Sequence, residues 1–411
     1  MEFSHCISLS GALQLVLSHL PETVVRTETL PLPECLGRTV AVDIVSKDDL
    51  PPFSRSTVDG FAVRSADTFG AAEGVPVLLN LIGEVLMGQQ TDLSVQSGQA
   101  VAMPTGGKLP QGADAVVMVE YTENPDNHSL LVLKAVAPGE NVIVKGEDFK
   151  INGVILRRGQ MISPQVMGAL AACGYSSVSV RKKPEVAIIS TGDEVVDVSE
   201  VIVDSQIRDI NSYVLAAMLE QAGCTVRRCG IVPDSYEALK TAMTEALTGS
   251  QMVLISGGSS VGTRDHTVRV IQSFEQASVF LHGIAVKPGK PTIFGIVGGV
   301  PVFGLPGHPV SAMTICQALV KPAIAGLLGH EQLEPEHRII ARITRNVASA
   351  PGRDDFIRVK LLRRDDGYWA EPIFGKSGLI STYLEADGIV HIGDMKSGLY
   401  GEDWVEVELV K

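Results

Sequence analysis

The sequence predicts an elongated multidomain protein of the α/β plus β class. A parallel-sheet βαβ domain is preceded by a small inserted β domain and followed by a C-terminal β-barrel-like domain. Three observations carry this reading. From Pro184 onward, short apolar runs alternate with helical segments of about 10–15 residues, the pattern of βαβ units feeding a parallel sheet. Residues 51–150 are rich in proline and glycine, with brief β-branched runs at 115–119 and 130–133. Beyond about residue 330 helical spacing stops. β-formers then alternate or cluster at 338–343, 355–362, 368–373 and 404–410, with Asp365-Asp366-Gly367 as a turn.

A chain of 411 residues exceeds one hydrophobic core, and 45% hydrophobic residues suffice to fill several. In chain order, Ser10 is the candidate N-cap of a first helix, with Leu13, Val16, Leu17 and Leu20 at helical spacing. The next helix covers 164–173, with Ser163 at the cap, Pro164 in its first turn and Gly174 past its end. Residues 1–50 and 151–182 therefore read as one discontinuous linker domain around the insertion at 51–150. The α/β domain follows at 183–330 and the C-terminal β domain at 331–411. Within the α/β domain, strands are expected at 186–189 and 226–231, and helices at about 212–221 and at 236–247. A buried strand at 253–256 then runs into the glycine-serine loop 257–262 and a helix start.

The net charge of −13 argues against general binding of nucleic acid or anionic membranes, but not against a small anion held by local positive charge. No purely apolar run reaches the roughly 18 residues of a membrane span. Six cysteines show no Cys-x-x-Cys and no metal spacing, which points to a reduced, cytoplasmic protein.

Ligands of open parallel sheets bind beyond the carboxyl ends of the strands. Here three successive strand ends carry Glu194, Asp234 and Asp265. Asp59 in the run 56–62 and Asp148 in Gly146-Glu147-Asp148 add carboxylates on loops, a donor type suited to Mg²⁺ sharing its shell with a phosphate. Singly, each is more often an ordinary turn or a solvated residue than a functional group. The glycine loop, with Ser256, Gly257, Gly258 and Ser260, lets backbone approach a ligand closely, yet it is neither a P-loop nor Gly-x-Gly-x-x-Gly. Lys287-Pro288-Gly289-Lys290-Pro291 holds two lysines on a stiffened turn, able to converge on one oxyanion. Residues 304–311 form a third loop opening a helix at Pro309, where Ser311 and backbone N–H groups suit an anion. His308 beside them reads as structural or exposed. Thr105 in a glycine turn, Arg353 in Pro351-Gly352-Arg353 and Ser377 in Gly375-Lys376-Ser377-Gly378 complete the polar candidates.

The ordered set of residues 56–62, 104–106, 146–148, 190–194, 256–265, 287–291, 305–311 and 351–353 resembles the molybdopterin molybdenumtransferase family, the bacterial MoeA proteins and the gephyrin E domain. The resemblance implies a homodimer of elongated four-domain subunits, its cleft formed by the inserted β domain of one subunit against the α/β and C-terminal domains of the other. It implies a transferase that takes molybdate and adenylylated molybdopterin, cleaves the pyrophosphate with Mg²⁺, inserts the metal into the dithiolene and releases AMP. A separate molybdopterin adenylyltransferase would donate the substrate, and a molybdoenzyme or cofactor carrier would accept the product.

By the same resemblance, Lys287, Lys290, Ser311, Arg353 and Ser377 would hold molybdate. Asp59, Asp148, Glu194, Asp234 and Asp265 would be the catalytic carboxylates, with Glu194, Asp234 and Asp265 as metal ligands. Thr105 would lie beside the phosphates, and Ser256, Gly257, Gly258, Ser260, Pro306 and Pro309 would line the substrate site. Three departures stand out: Ser54-Arg55 where many relatives have Asp-Asn or Asp-Arg, Phe61 for a common tyrosine, and His308 for an asparagine. Other readings are a scaffold of the same fold, a tungstate-inserting homologue, and an unrelated phosphate-binding enzyme such as a nucleotidyltransferase. Retention of Asp59, Lys287, Lys290 and Arg353 favours catalysis over the scaffold, and the two β domains argue against the nucleotidyltransferase.

Overall fold

The computed structural model describes residues 6–21, 26–89, 91–257, 263–330 and 337–410, the side chains of 263–265 excepted. The α/β domain is built on a six-stranded sheet in the order Thr225–Val232, Glu185–Thr191, Met252–Gly257, Val300–Leu305, Ile293–Val297, Ala277–His282. The first four strands are parallel. The last two are antiparallel additions, so the sheet is mixed rather than purely parallel. Gly298 and Gly299, at φ 54° and 85°, make the two-residue hairpin that turns the chain straight back.

Both faces of this sheet are covered, which is why its strands are apolar throughout. Val186, Ile188, Met252 and Leu254 pack into one core with Leu215 and Leu219 of helix Asn211–Gln221. Their alternates Ala187, Ile189, Val253 and Ile255 pack into the other with Leu239 and Met243 of helix Tyr236–Leu247. The first core also receives Ala12 and Val16 of helix Leu9–Ser18, a segment grouped with the linker domain on sequence. That helix is capped by Ser8, whose side chain accepts from Gly11 N, rather than by Ser10. Ser8 has the extended backbone a cap requires. The 20-residue run Pro309–Leu328 has the length and apolarity of a span, but most of it is buried in the protein, as a core helix is.

The inserted unit is a six-stranded sheet in the order Ala115–Met118, Gly60–Val63, Gln99–Met103, Val77–Glu84, Ser129–Val132, Thr122–Asp126. Short pairings, Thr27–Pro31 with Ser177–Arg181 and Ile44–Val45 with Val154–Leu156, form the linker beside helix Pro164–Ala172. The C-terminal unit closes on itself. Strand Asp354–Arg364 pairs with Gly367–Pro372 on one side and Gly388–Ile392 on the other, and Arg338–Ile343 and Trp404–Leu409 complete the ring. Its core holds Ile343, Val359, Ile392 and Val407. One short helix, Ser381–Glu385, interrupts this region, where the sequence pattern shows none.

One junction positions the site. Val286–Lys287 pairs in parallel with the barrel strand, Val286 opposite Asp354 and Lys287 opposite Asp355. Asp354 N donates to Ala285 O at 2.8 Å. The α/β domain thus hands its lysine turn to the barrel wall by backbone hydrogen bonds.

Candidate functional site

Two adjoining cavities share the loop 304–311 as their common wall. The first, of about 460 Å³, lies where the lysine turn, that loop and the barrel meet. Lys287, Lys290, Pro306, Ser311 and Ser377 line it together, as do Lys376, Asp355 and Arg358. The second, of about 170 Å³, lies at the carboxyl ends of the parallel strands, lined by Ser190, Thr191, Glu194, Asp209, Asn211, Ser256, Gly257 and Pro309. His308 borders both. Strand order reverses between Glu185–Thr191 and Met252–Gly257, so this is the crevice that an open α/β sheet offers a ligand.

The turn bearing the lysines is held by its backbone. Thr292 Oγ1 donates to Gly289 O at 2.7 Å, and Ile284 N donates to Lys290 O at 3.0 Å. Gly289 has φ 130°, and a Cβ there would stand 2.5 Å from Ile315 Cδ1, so the turn needs glycine to lie against the helix. Both lysines remain exposed. Ser311, buried, sits in the first turn of helix Pro309–Ile315, whose Val310 N donates to Ser377 O at 3.1 Å. Ser377 Oγ and His308 Nδ1 are 3.0 Å apart, so His308 steadies the serine loop. Arg353 stands apart from the lining. Its Nε is 2.9 Å from Asp355 Oδ1, an ion pair with a carboxylate only 1% exposed.

At the strand ends, Thr191 Oγ1 donates to Asp234 Oδ1, and Asp234 N donates to Asp193 Oδ1 at 3.1 Å. Burial pushes the Asp234 carboxyl above its ordinary 3.8, and the charges of Asp193 and Glu194 push the same way. Three carboxylates held this closely repel one another, and a cation would relieve that. Among the described residues no group of three acidic, histidine or cysteine side chains is placed to hold a metal ion by itself. Of the expected metal set, Asp265 falls in helix Thr263–Gln272 with its side chain outside the described residues. Gly258 and Ser260 lie outside them too.

A raised folded-state pKa means that the protein binds more protons than the unfolded chain, so ionised Asp234 destabilises the fold at neutral pH. Asp234→Asn is expected to unfold at an equal or higher temperature than the native protein at pH 8. That advantage should shrink as the pH falls through the raised pKa toward 3.8. A lower melting temperature at both ends of the range would show that the carboxylate is a structural requirement.

Asp59 and Thr105 meet in the inserted domain. Asp59 Oδ1 accepts from Thr105 N at 2.7 Å and from Thr105 Oγ1 at 3.0 Å. The Thr105 backbone N–H is the main reason its carboxyl lies below the usual range. Asp148 is exposed, with its N–H on Leu50 O at 2.9 Å. None of these three lines either cavity of this chain.

Three groups escaped the sequence reading. Asn211 Nδ2 donates to Ser256 Oγ at 2.8 Å and to Gly307 O at 2.7 Å, tying two strand-end loops together. Asp209 accepts from Ser190 Oγ at 2.8 Å and from Ser212 N at 3.0 Å. Their position at the start of helix Asn211–Gln221, at a strand-to-helix junction, was the available signal. Arg358 had none, because in sequence it is one arginine in a β strand.

Comparison with known proteins covers almost the whole chain. The family described as the MoeA N-terminal region (domain I and II) matches residues 7–174. A probable molybdopterin binding domain matches 187–326, and the MoeA C-terminal region (domain IV) matches 341–410. A putative molybdopterin biosynthesis protein of Methanocaldococcus jannaschii is 34% identical, with 98% of each chain covered. A molybdopterin molybdenumtransferase of Staphylococcus aureus is 32% identical over 93% of this chain and 91% of its own. The crystal structure of a molybdopterin biosynthesis MoeA protein from Pyrococcus horikoshii OT3 superposes with a TM-score of 0.85 at 32% identity. It covers 98% of this chain and 100% of that one.

Proposed function

Because the chain belongs to the MoeA family, we propose that it is a molybdopterin molybdenumtransferase. It would transfer molybdate into adenylylated molybdopterin with release of AMP. The observation that carries this reading is the pair of cavities sharing one loop. One is lined by lysines and serines suited to a tetrahedral oxyanion, and the other lies at the topological switch point of the sheet, where a nucleotide-like substrate belongs. A reaction joining an oxyanion to a pterin nucleotide needs these two pockets side by side, so that both reactants are held at contact distance.

In this reading Lys287, Lys290, Ser311 and Ser377 bind the oxyanion from one side of the loop. Arg353 acts from behind the wall by holding Asp355. Ser190, Asn211, Ser256 and Gly257 receive the substrate's polar groups on the other side. Glu194 and Asp234, with Asp265, would hold Mg²⁺ against the substrate phosphates. The ion would supply neutralisation of the charge on the pyrophosphate, while Thr191 orients the Asp234 carboxylate. Asp59, Thr105 and Asp148 belong to the reaction only if a second copy of the chain brings its inserted domain to the cleft, which is the reason for proposing a homodimer. The substrate would come from an adenylyltransferase and the product would pass to a molybdoenzyme or carrier, in the cytoplasm.

AMP release from adenylylated molybdopterin, with Mg²⁺ and with or without molybdate, tests the function. Molybdate-dependent AMP release with formation of the cofactor is the expected result, and the same assay with tungstate sets the metal preference. Tight substrate binding without AMP release would favour the scaffold. In the same assay, mixed dimers of Asp59→Asn and Asp265→Asn subunits should recover activity that neither variant has alone. Failure to recover would remove the shared cleft.

A further inference from the structure

Among the described residues, His308 is the one that lines both the 460 Å³ and the 170 Å³ cavity. It stands where the family pattern has an asparagine, so this chain sets a group that can take and give up protons at the point where the cavities meet. The residue caps helix Pro309–Ile315 with extended backbone, φ −71° and ψ 130°, and its side chain takes no part in the cap. Pro309 and Val310 beyond it are buried and hold the backbone, while the imidazole is exposed. Nδ1 lies 3.0 Å from Ser377 Oγ, which keeps the ring at the rim of the larger cavity. Nε2 carries no hydrogen bond to the described residues.

Joining molybdate to a dithiolene moves protons as well as metal. A thiol binds metal as its thiolate, so each new metal–sulfur bond releases a proton. Molybdate must in turn give up one oxygen, which leaves only after protonation to water. In balance, the dithiol and MoO₄²⁻ give the dithiolene complex of MoO₃, still doubly negative, and one water. Two S–H bonds and one Mo–O bond break, and two Mo–S and two O–H bonds form. Both protons end on the departing oxygen, and the oxidation state of the metal does not change, so no oxidant or reductant enters. A side chain that accepts and then donates a proton near neutral pH serves this transfer best, and that side chain is an imidazole.

We propose that His308 is the proton carrier of metal insertion, taking each proton from a substrate thiol at Nε2 and delivering it to the oxygen that molybdate gives up. The proposal rests on the reading of the two cavities as the sites of molybdate and of the pterin nucleotide, whose dithiolene would lie where they meet. The contact of Ser377 with Nδ1 holds the ring there and leaves Nε2 for the exchange. With asparagine at this position, the protons would have to travel through water.

The test follows cofactor formation and AMP release in single turnovers with adenylylated molybdopterin, Mg²⁺ and molybdate, in native protein, His308→Ala, His308→Asn and His308→Gln. Cofactor formation should slow about a hundredfold in His308→Ala, the low end of what a positioned acid–base group contributes. Free imidazole should restore about a tenth of the native rate or more, because the vacated rim admits the missing ring. His308→Asn keeps a donor for Ser377 Oγ but carries no proton, so it should stay about tenfold slow or slower, with its molybdate affinity within about threefold of native. A histidine that merely steadies the serine loop gives the opposite pattern, full rate in His308→Asn and no response of His308→Ala to imidazole. Either of those results overturns the proposal. The exposed side chain and ordinary backbone angles make misfolding unexpected, and thermal unfolding checks it. If His308→Ala nonetheless fails to fold, native rate in His308→Gln overturns the proposal and a slow rate supports it. Native protein without molybdate-dependent AMP release would sink the insertase reading and His308 with it. Normal insertion by native protein and His308→Asn alike would sink His308 alone.

Discussion

The double variant Lys287→Ala/Lys290→Ala is expected to lose molybdate binding by roughly two orders of magnitude or more while folding normally. A hydrogen bond to a charged group contributes about 1.5–3 kcal/mol, so each lysine removed should cost about ten- to a hundredfold in affinity. Folding should be insensitive because the turn is held by backbone groups that alanine retains, Thr292 on Gly289 O and Ile284 N on Lys290 O. Both side chains are exposed, so little packing is lost. Equilibrium dialysis with molybdate, alongside thermal unfolding, separates the two effects. Unchanged affinity in the double variant would take the lysine turn out of the site.

Gly257→Ala is expected to be the most damaging single methyl in the protein. Gly257 ends the strand Met252–Gly257 at φ 135°, a conformation that only glycine adopts without strain. A Cβ there would lie 1.9 Å from Thr191 O, the backbone of the adjacent strand, which has no flexible end to move aside. The cost should exceed about 4 kcal/mol, the range reserved for severe backbone and core lesions. It would also open the switch-point crevice by parting Thr191 from Gly257. Soluble yield and thermal unfolding check this against Gly168→Ala, in helix Pro164–Ala172, where nothing lies within 4 Å and alanine should be neutral or stabilising. Equal stability of the two variants would mean that the strand ends are far looser than the close approach implies.

The helix and strand pattern of the α/β domain was legible because both of its signals are local. Helix Tyr236–Leu247 shows its period, and the strands show unbroken apolar runs. The carboxylates at the strand ends were legible as a group for a geometric reason. Parallel strands deliver their carboxyl ends to one edge, so Glu194 and Asp234 had to be neighbours once the βαβ alternation was recognised. The antiparallel edge of the sheet was missed, although Gly298-Gly299 is a hairpin signal, because its short strands resemble any other β run.

By itself, the sequence determined the class of fold, the order of its units, the motif set that marks the family, and which turns carry lysines, carboxylates and serines. The tertiary structure alone decided which of them meet. Lys287 and Arg358 share a cavity because Val286–Lys287 pairs with the barrel strand, a register between segments about 70 residues apart that no local pattern encodes. Arg353 meets Asp355 two residues along the same segment, whereas Arg358 Nε is buried with no hydrogen-bond partner among the described residues. Local hydrophobic period chooses helix or strand. Burial, by contrast, depends on which distant surface covers a side chain, and an unpaired charge becomes consequential only once it is covered.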